Sequence, residues 1–155
     1  MQCFNNFMEI AVNYAKKKSC NCLKYQEIPI GCIIVNNKTN KVIVKTSNLT
    51  KKNNNPIAHA EIIAINKACK KLKISTLKNY DMYVTLEPCA MCAFAISLAK
   101  INNLYIGTLS EKTGAVISNI NILNSRTVNH KVVVYYDILK SECKSMIKKF
   151  FEFKR

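Results

Sequence analysis

His59-Ala60-Glu61 and Pro88-Cys89-Ala90-Met91-Cys92 set three soft metal ligands and one carboxylate into two short runs. Three protein ligands leave the fourth position of a tetrahedral zinc open to water. A carboxylate beside such a water, itself not a ligand, is equipment for hydrolysis. Cys89 and Cys92 stand at i and i+3, neighbours on one helical face. A helix N-terminus stabilises thiolate over thiol, and Pro88 suits the edge of that helix, where its missing N–H does no harm. His59 and Glu61, at i and i+2, would point apart in mid-helix. At the first turn of a helix both reach a site just beyond its end. The spacing therefore predicts two helix N-termini around one metal, with His59, Cys89 and Cys92 as ligands and Glu61 as the group that moves protons.

A closed structural zinc would need a fourth ligand, for which Cys32, Cys69 and His130 are the candidates. Structural sites usually carry two paired ligand knuckles, and here one half is H-x-E. Glu87 is read as a hydrogen-bonding group that orients the site. Cys3, Cys32, Cys69 and Cys143 lie in apolar-periodic segments and are read as buried small hydrophobes. Cys20 and Cys22 form only a weak metal pattern. A disulfide framework is not expected.

The elements that must position these residues follow from periodicity. Phe4, Phe7, Met8, Ala11, Val12 and Ala15 repeat at helical spacing and predict a helix near 3–18, with Ser19 to Tyr25 a connector. Ile30 to Val35 and Val42 to Thr46 predict two strands joined by the Asn36–Asn40 turn. A polar loop from Ser47 to Pro56 leads into a helix from about Ala58 to Leu72, its apolar stripe Ile62, Ile65, Ala68, Cys69 and Leu72. Met82 to Leu86 reads as a strand, Cys89 to Ala99 as a helix and Leu104 to Gly107 as a strand. Gly107 to Asn129 is mostly loop, with an unassigned apolar patch at Ala115 to Leu123. Val132 to Tyr136 is a fifth strand and Ile138 to Phe153 a closing helix. The alternation argues for helices on both faces of a mixed sheet, in a single domain spanning 1–155.

The chain has 155 residues, 49% hydrophobic, enough for a continuous core. No apolar run reaches the ~18 residues of a membrane span, and no secretory signal opens the chain, so a cytoplasmic location is expected. Lys and Arg number 24 against 9 Asp and Glu, a net charge of +15 that favours a polyanionic partner. Part of this excess belongs to solvated faces such as Lys16-Lys17-Lys18 and Lys70-Lys71. The tail from Lys148 to Arg155 interleaves basic and aromatic residues, a pattern that stacks on unpaired bases and meets phosphates. Phe150 is expected inward, and Phe151 and Phe153 nearer RNA.

H-x-E followed by P-C-x-x-C is the signature of zinc nucleobase deaminases. Glu27-Ile28-Pro29-Ile30-Gly31, Pro56-Ile57-Ala58-His59-Ala60-Glu61 and Thr85-Leu86-Glu87-Pro88-Cys89-Ala90-Met91-Cys92-Ala93 resemble the corresponding segments of the bacterial tRNA-specific adenosine deaminases, in the cytidine deaminase-like superfamily. Lys112-Thr113-Gly114-Ala115, Asn129-His130 and Phe150-Phe151 also match. The resemblance implies a three-layer α/β/α sandwich with a five-stranded mixed sheet, one zinc per subunit, a homodimer, and conversion of a wobble adenosine of a tRNA anticodon to inosine. It carries ligand roles to His59, Cys89 and Cys92 and the proton shuttle to Glu61. It places Asn48, Ala60 and Ser110 at the substrate, and Lys112 toward RNA, where the tail pattern also puts Phe151 or Phe153. Asn48 can both donate to and accept from a purine edge. Ser110 stands where the family usually has Asp, keeping a hydrogen bond but no charge. Phe94 replaces a usual Gly just after the zinc cysteines.

Two other readings fit the motif. One is a deaminase of a free base or nucleoside, of guanine or cytosine type, which needs neither the basic surface nor the aromatic tail. The other is a non-catalytic RNA-binding partner subunit with a structural zinc, which would be expected to have lost Glu61.

Overall fold

Strand β1 (Gly31–Asn36) is buried along almost its whole length, as expected of a continuous apolar run covered on both sides. Its side chains alternate between two cores. Cys32 and Ile34 face one, and Ile33 and Val35 face the other, the two-residue period of a strand made visible. The computed structural model describes residues 2–21 and 27–153, with only the backbone for 2–4 and 19–21. The readings of Cys3, Cys20 and Cys22 lie outside the described side chains.

Around β1 the sheet is ordered β2-β1-β3-β4-β5, with β2 (Lys41–Ser47), β3 (Tyr80–Leu86), β4 (Asn103–Thr108) and β5 (Val133–Tyr135). β1 runs antiparallel to β2 and β3, whereas β3, β4 and β5 are parallel. Antiparallel β1 and β2 need only a tight turn, but parallel β3 and β4 require a crossover helix. That helix is α3 (Ala90–Leu98). With α2 (Ala60–Leu72) it covers one face of the sheet. α1 (Gln2–Asn21) and α4 (Lys140–Phe153) cover the other. The expected three-layer α/β/α architecture with a five-stranded mixed sheet is present.

Local outcomes differ from the sequence reading in instructive ways. α1 continues through Asn21, into the stretch expected to be a connector. In α2 the side chains against the sheet are Ala60, Ala64 and Ala68, while Ile65, Cys69 and Leu72 pack at the flank of the core. Small side chains at i, i+4 and i+8 bring the helix axis close to the sheet, leaving room for larger groups only at its sides. Lys73 ends this helix in the left-handed conformation, φ 57°, its N–H bonded to Cys69 O. The unassigned patch is a turn-rich loop with a short 3-10 turn, Ile122–Asn124. Val116 and Leu123 from it complete the core under α2 and α3.

Two contacts tie the layers rigidly. A Cβ at Gly31 would lie 2.1 Å from Ala11 O, so α1 rests directly on the backbone of β1. On the same face Tyr83, Tyr105 and Tyr135 stand in register across β3, β4 and β5. Their rings stack at 4.3 and 4.9 Å, and Phe7 of α1 meets Tyr83 at 5.3 Å.

Candidate metal centre and active site

α2 and α3 both begin at one end of the α2/α3 layer, and both begin on a metal-ligand residue. His59 is the N-cap of α2, in extended conformation with ψ 152°. Cys89 is the N-cap of α3 with ψ 173°, and Cys92 follows one turn on. Neither cap side chain bonds its own first turn. Both are directed at each other: His59 Nδ1 lies 3.7 Å from Cys89 Sγ and 3.5 Å from Cys92 Sγ, and all three ligand atoms fall within 4.8 Å of one another.

Those distances fit zinc. With Zn–S about 2.3 Å, Zn–N about 2.05 Å and a tetrahedral angle, nitrogen and sulfur should be separated by about 3.6 Å. Among the described residues no other Cys, His, Asp or Glu joins the group. The three candidates for a closing fourth ligand are elsewhere. His130 Nε2 donates to Ile101 O at 2.8 Å, Cys69 flanks the core near the far end of α2, and Cys32 is packed in β1. Among the described residues the group has three protein donors, one fewer than a tetrahedral zinc takes.

The protonation pattern points the same way. Cys89 is pushed down to about 4 by the Cys92 thiol and the His59 ring that bond to it. Cys92, engaged by Cys89 and buried, is pushed far up. Thiols are deprotonated when they bind a divalent cation, so metal binding here would release protons. His59 is raised, first by its bond to Cys89.

Glu61, in the first turn of α2, is 3% exposed, and its Oε2 is buried with no hydrogen-bond partner. Burial, the largest effect, raises its carboxyl above the ordinary range, and the Cys89 charge adds to this. An unpaired buried carboxylate oxygen is costly and is the mark of a group kept for chemistry rather than for packing.

Asn48 is placed at the mouth of α2 and is buried. Its Oδ1 accepts from Ala60 N at 2.9 Å, capping the helix that His59 leaves uncapped. Its oxygen holds one donor and keeps a second lone pair, so both donor and acceptor capacity are left beside the cap. Ala60 has its methyl wholly buried and its carbonyl accepts from Thr46 Oγ1 at 2.8 Å. Its N–H is the donor to Asn48 Oδ1. Thr46, which also bonds Cys32 O, is a supporting residue that sequence reasoning misses. A β-branched hydroxyl at the end of an edge strand gives no sequence signal until its partner helix is known.

Glu87 does not touch the metal ligands. It takes backbone N–H groups of the loop after β4, so its hydrogen bonds run to that loop. Ser110 closes the first turn of that loop: Thr113 N donates to its Oγ at 3.4 Å and Gly114 N to its carbonyl at 2.8 Å. Lys112 is exposed on this loop. Phe94 is part-exposed on α3. Phe150 is half-buried, edge-on to Phe151 at 5.3 Å, and Phe153 is 86% exposed at the end of α4.

Comparison with known proteins agrees with this geometry. Residues 1–108 match the family described as the cytidine and deoxycytidylate deaminase zinc-binding region. The tRNA-specific adenosine deaminase of Rickettsia typhi is 44% identical over 126 residues, 81% of this chain and 85% of that protein. That of Agrobacterium fabrum is 39% identical over 150 residues, 97% and 95% respectively. A solved structure from a study of A-to-I editing by tRNA:A34 deaminases at the wobble position superposes with TM-score 0.84 and 39% identity, over 91% of this chain and 98% of that one. A guanine deaminase from Nitrosomonas europaea, 16% identical with TM-score 0.75 over 90% of this chain and 82% of its own, shares the fold.

Proposed function

Because the chain belongs to the family of the cytidine and deoxycytidylate deaminase zinc-binding region, we infer that it deaminates adenosine to inosine hydrolytically at the wobble position of a tRNA anticodon. One observation carries the chemistry: two thiols and an imidazole at tetrahedral spacing beside a buried carboxylate with an unpartnered oxygen. The choice of substrate is supported by full-length relatives named tRNA-specific adenosine deaminase.

His59, Cys89 and Cys92 hold the zinc. When bound, zinc supplies Lewis acidity that lowers the pKa of water toward about 7. Glu61 takes a proton from the attacking water and delivers it to the ring nitrogen as the water oxygen bonds the amine-bearing carbon. It then transfers the second proton to the amine, which leaves as ammonia, so that adenosine and water become inosine and ammonia. Its buried oxygen without a partner suits both steps. Asn48 donates to the base. Ser110 and Lys112 face the nucleotide and its phosphates, and Phe151 and Phe153 offer stacking surfaces.

The test is incubation with an anticodon stem-loop bearing a wobble adenosine and, separately, with guanine, cytosine and free nucleosides. Inosine in the stem-loop alone is expected; turnover of the small substrates alone would reject this reading. Stem-loop affinity should fall steeply with salt, log K decreasing by roughly 0.7 per phosphate contact per unit log salt.

The active unit is a homodimer in this reading. Phe94 and Leu98, one turn apart on α3, are exposed, Leu98 by 64%, an outer helix face apolar enough to be covered by a second copy. Leu98→Glu should shift sedimentation from dimer to monomer, and a wild-type monomer would count against it. No helix among the described residues is long and apolar enough to cross a membrane. We assign the chain to the cytoplasm, where its tRNA substrate resides.

A further inference from the structure

We propose that Glu87 is a positioning residue for the deamination: it holds the Ser110–Ser118 segment against the root of α3, and through that segment sets where Ser110 and Lys112 meet the RNA. The proposal rests on the tRNA reading above.

Glu87 lies just before Pro88 and Cys89, is 3% exposed, and is saturated. Its Oε1 accepts from Val116 N at 3.1 Å, Ile117 N at 2.7 Å and Ser118 N at 2.9 Å. Its Oε2 accepts from Ser110 N at 2.9 Å and from the Ser118 hydroxyl. An ionised carboxylate offers about four lone-pair sites, so five donors leave nothing for a substrate or a metal. Glu61, buried to the same degree, keeps an oxygen without a partner. Two buried carboxylates at the roots of the two helices are therefore divided between chemistry and placement.

The segment is shaped around this one anion. Ala115 N donates to Pro88 O at 3.0 Å, and Glu87 N to Thr108 O at 2.9 Å, so both ends of the loop are fastened to the residues that lead into Cys89. A Cβ at Gly114 would fall 2.1 Å from Glu87 Oε2, which reserves that position for glycine. Asn119 Nδ2 ties the loop to itself through Glu111 O and Gly114 O, each at 3.0 Å. The ion pairs found among the described residues, Lys140 with Asp137 and Lys148 with Glu152, are remote from Glu87. In a chain of net charge +15 this buried anion is neutralised by backbone dipoles.

Glu87→Gln keeps the shape but turns one acceptor into a donor facing donors. KM for the stem-loop should rise about 10- to 100-fold, the usual scale of a lost supporting contact or a misplaced binding group. Meanwhile kcat should stay within about threefold and zinc at one per chain, because Glu87 bonds the loop and not a metal ligand. Hydrogen exchange at Val116, Ile117 and Ser118 should accelerate while β3 and β4 keep their protection. Gly114→Ala, which crowds the same carboxylate from the loop side, should reproduce the KM shift. An unchanged KM with a loosened segment overturns the proposal, as does a fall in kcat and zinc content at constant KM, which would make Glu87 a support of the metal. Unfolding of both variants would make it a residue of the fold. Wild-type protein silent on the stem-loop would instead reject the substrate reading. Unchanged exchange at 116–118 in Glu87→Gln would then still overturn this one.

Discussion

Glu61→Gln should lower kcat on the stem-loop by about 10³ or more, with zinc content and stem-loop affinity close to wild type. General acid–base catalysis contributes about 10²–10⁴, and the upper part of that range applies because both proton transfers pass through this one carboxyl. Glutamine matches glutamate in size at a buried position in the first turn of α2, so the helix and its cap by Asn48 are retained. The amide cannot accept the proton of water. It also supplies the unpartnered oxygen's site with a neutral group, so folding stability should be unchanged or rise slightly. Product formation by quenched-flow and zinc by mass spectrometry decide the matter. A variant that keeps more than a tenth of wild-type kcat would assign the proton transfers elsewhere.

Cys92→Ala should remove the metal and the activity together. Zinc bound to four ligands in small domains gives roughly 10–16 kcal/mol. Loss of one strong ligand from a site with only three protein donors is therefore expected to weaken binding by at least about 10²–10³. Cys92 is fully buried, and alanine there leaves only a small void within a helix that favours alanine. The variant should consequently fold, bind substoichiometric zinc and form no detectable inosine. The linked measurement is thermal stability with and without chelator. A cation that binds only the folded chain stabilises it by mass action, so the wild-type Tm should fall on chelation and that of Cys92→Ala should not move. Equal chelator sensitivity in both proteins would show that Cys92 is not a ligand. Zinc uptake should also weaken as pH falls, because protons compete for the sulfurs.

Much of the centre is legible in the order of the amino acids. The two ligand runs, their place at helix starts and the open coordination direction all follow from spacing and helix geometry, and His59 and Cys89 do stand at the N-caps. Strand and helix order is legible for the same reason: the continuous apolar run of β1 and the helical spacing in α1 are local patterns. What periodicity does not reveal is non-local. It predicts a stripe of Ile62, Ile65, Ala68, Cys69 and Leu72 on α2. Ala68 is in the core and Ile65, Cys69 and Leu72 pack against it, but Ala60 and Ala64, which share the buried face, are not picked out because hydrophobicity ranks isoleucine above alanine. The Ala115–Leu123 patch has no period to read, because irregular backbone buries Val116 and Leu123 one at a time.

Residue types and their spacing determined the chemistry this chain can perform, since metal preference and proton transfer depend on which donors are present and which helical positions they occupy. Only the tertiary structure decided how the carboxylates and amides divide the work. Glu61, Glu87 and Asn48 are equally polar as letters. Glu61 keeps a buried oxygen without a partner, which suits the proton transfers proposed for it, whereas five donors converge on Glu87. Asn48 becomes a helix cap with its N–H groups to spare because Ala60 N points at it. The physical reason is that a buried polar atom takes its role from the partners packing brings to it, and those partners come from the loop after β4 and from α2, far from it along the chain.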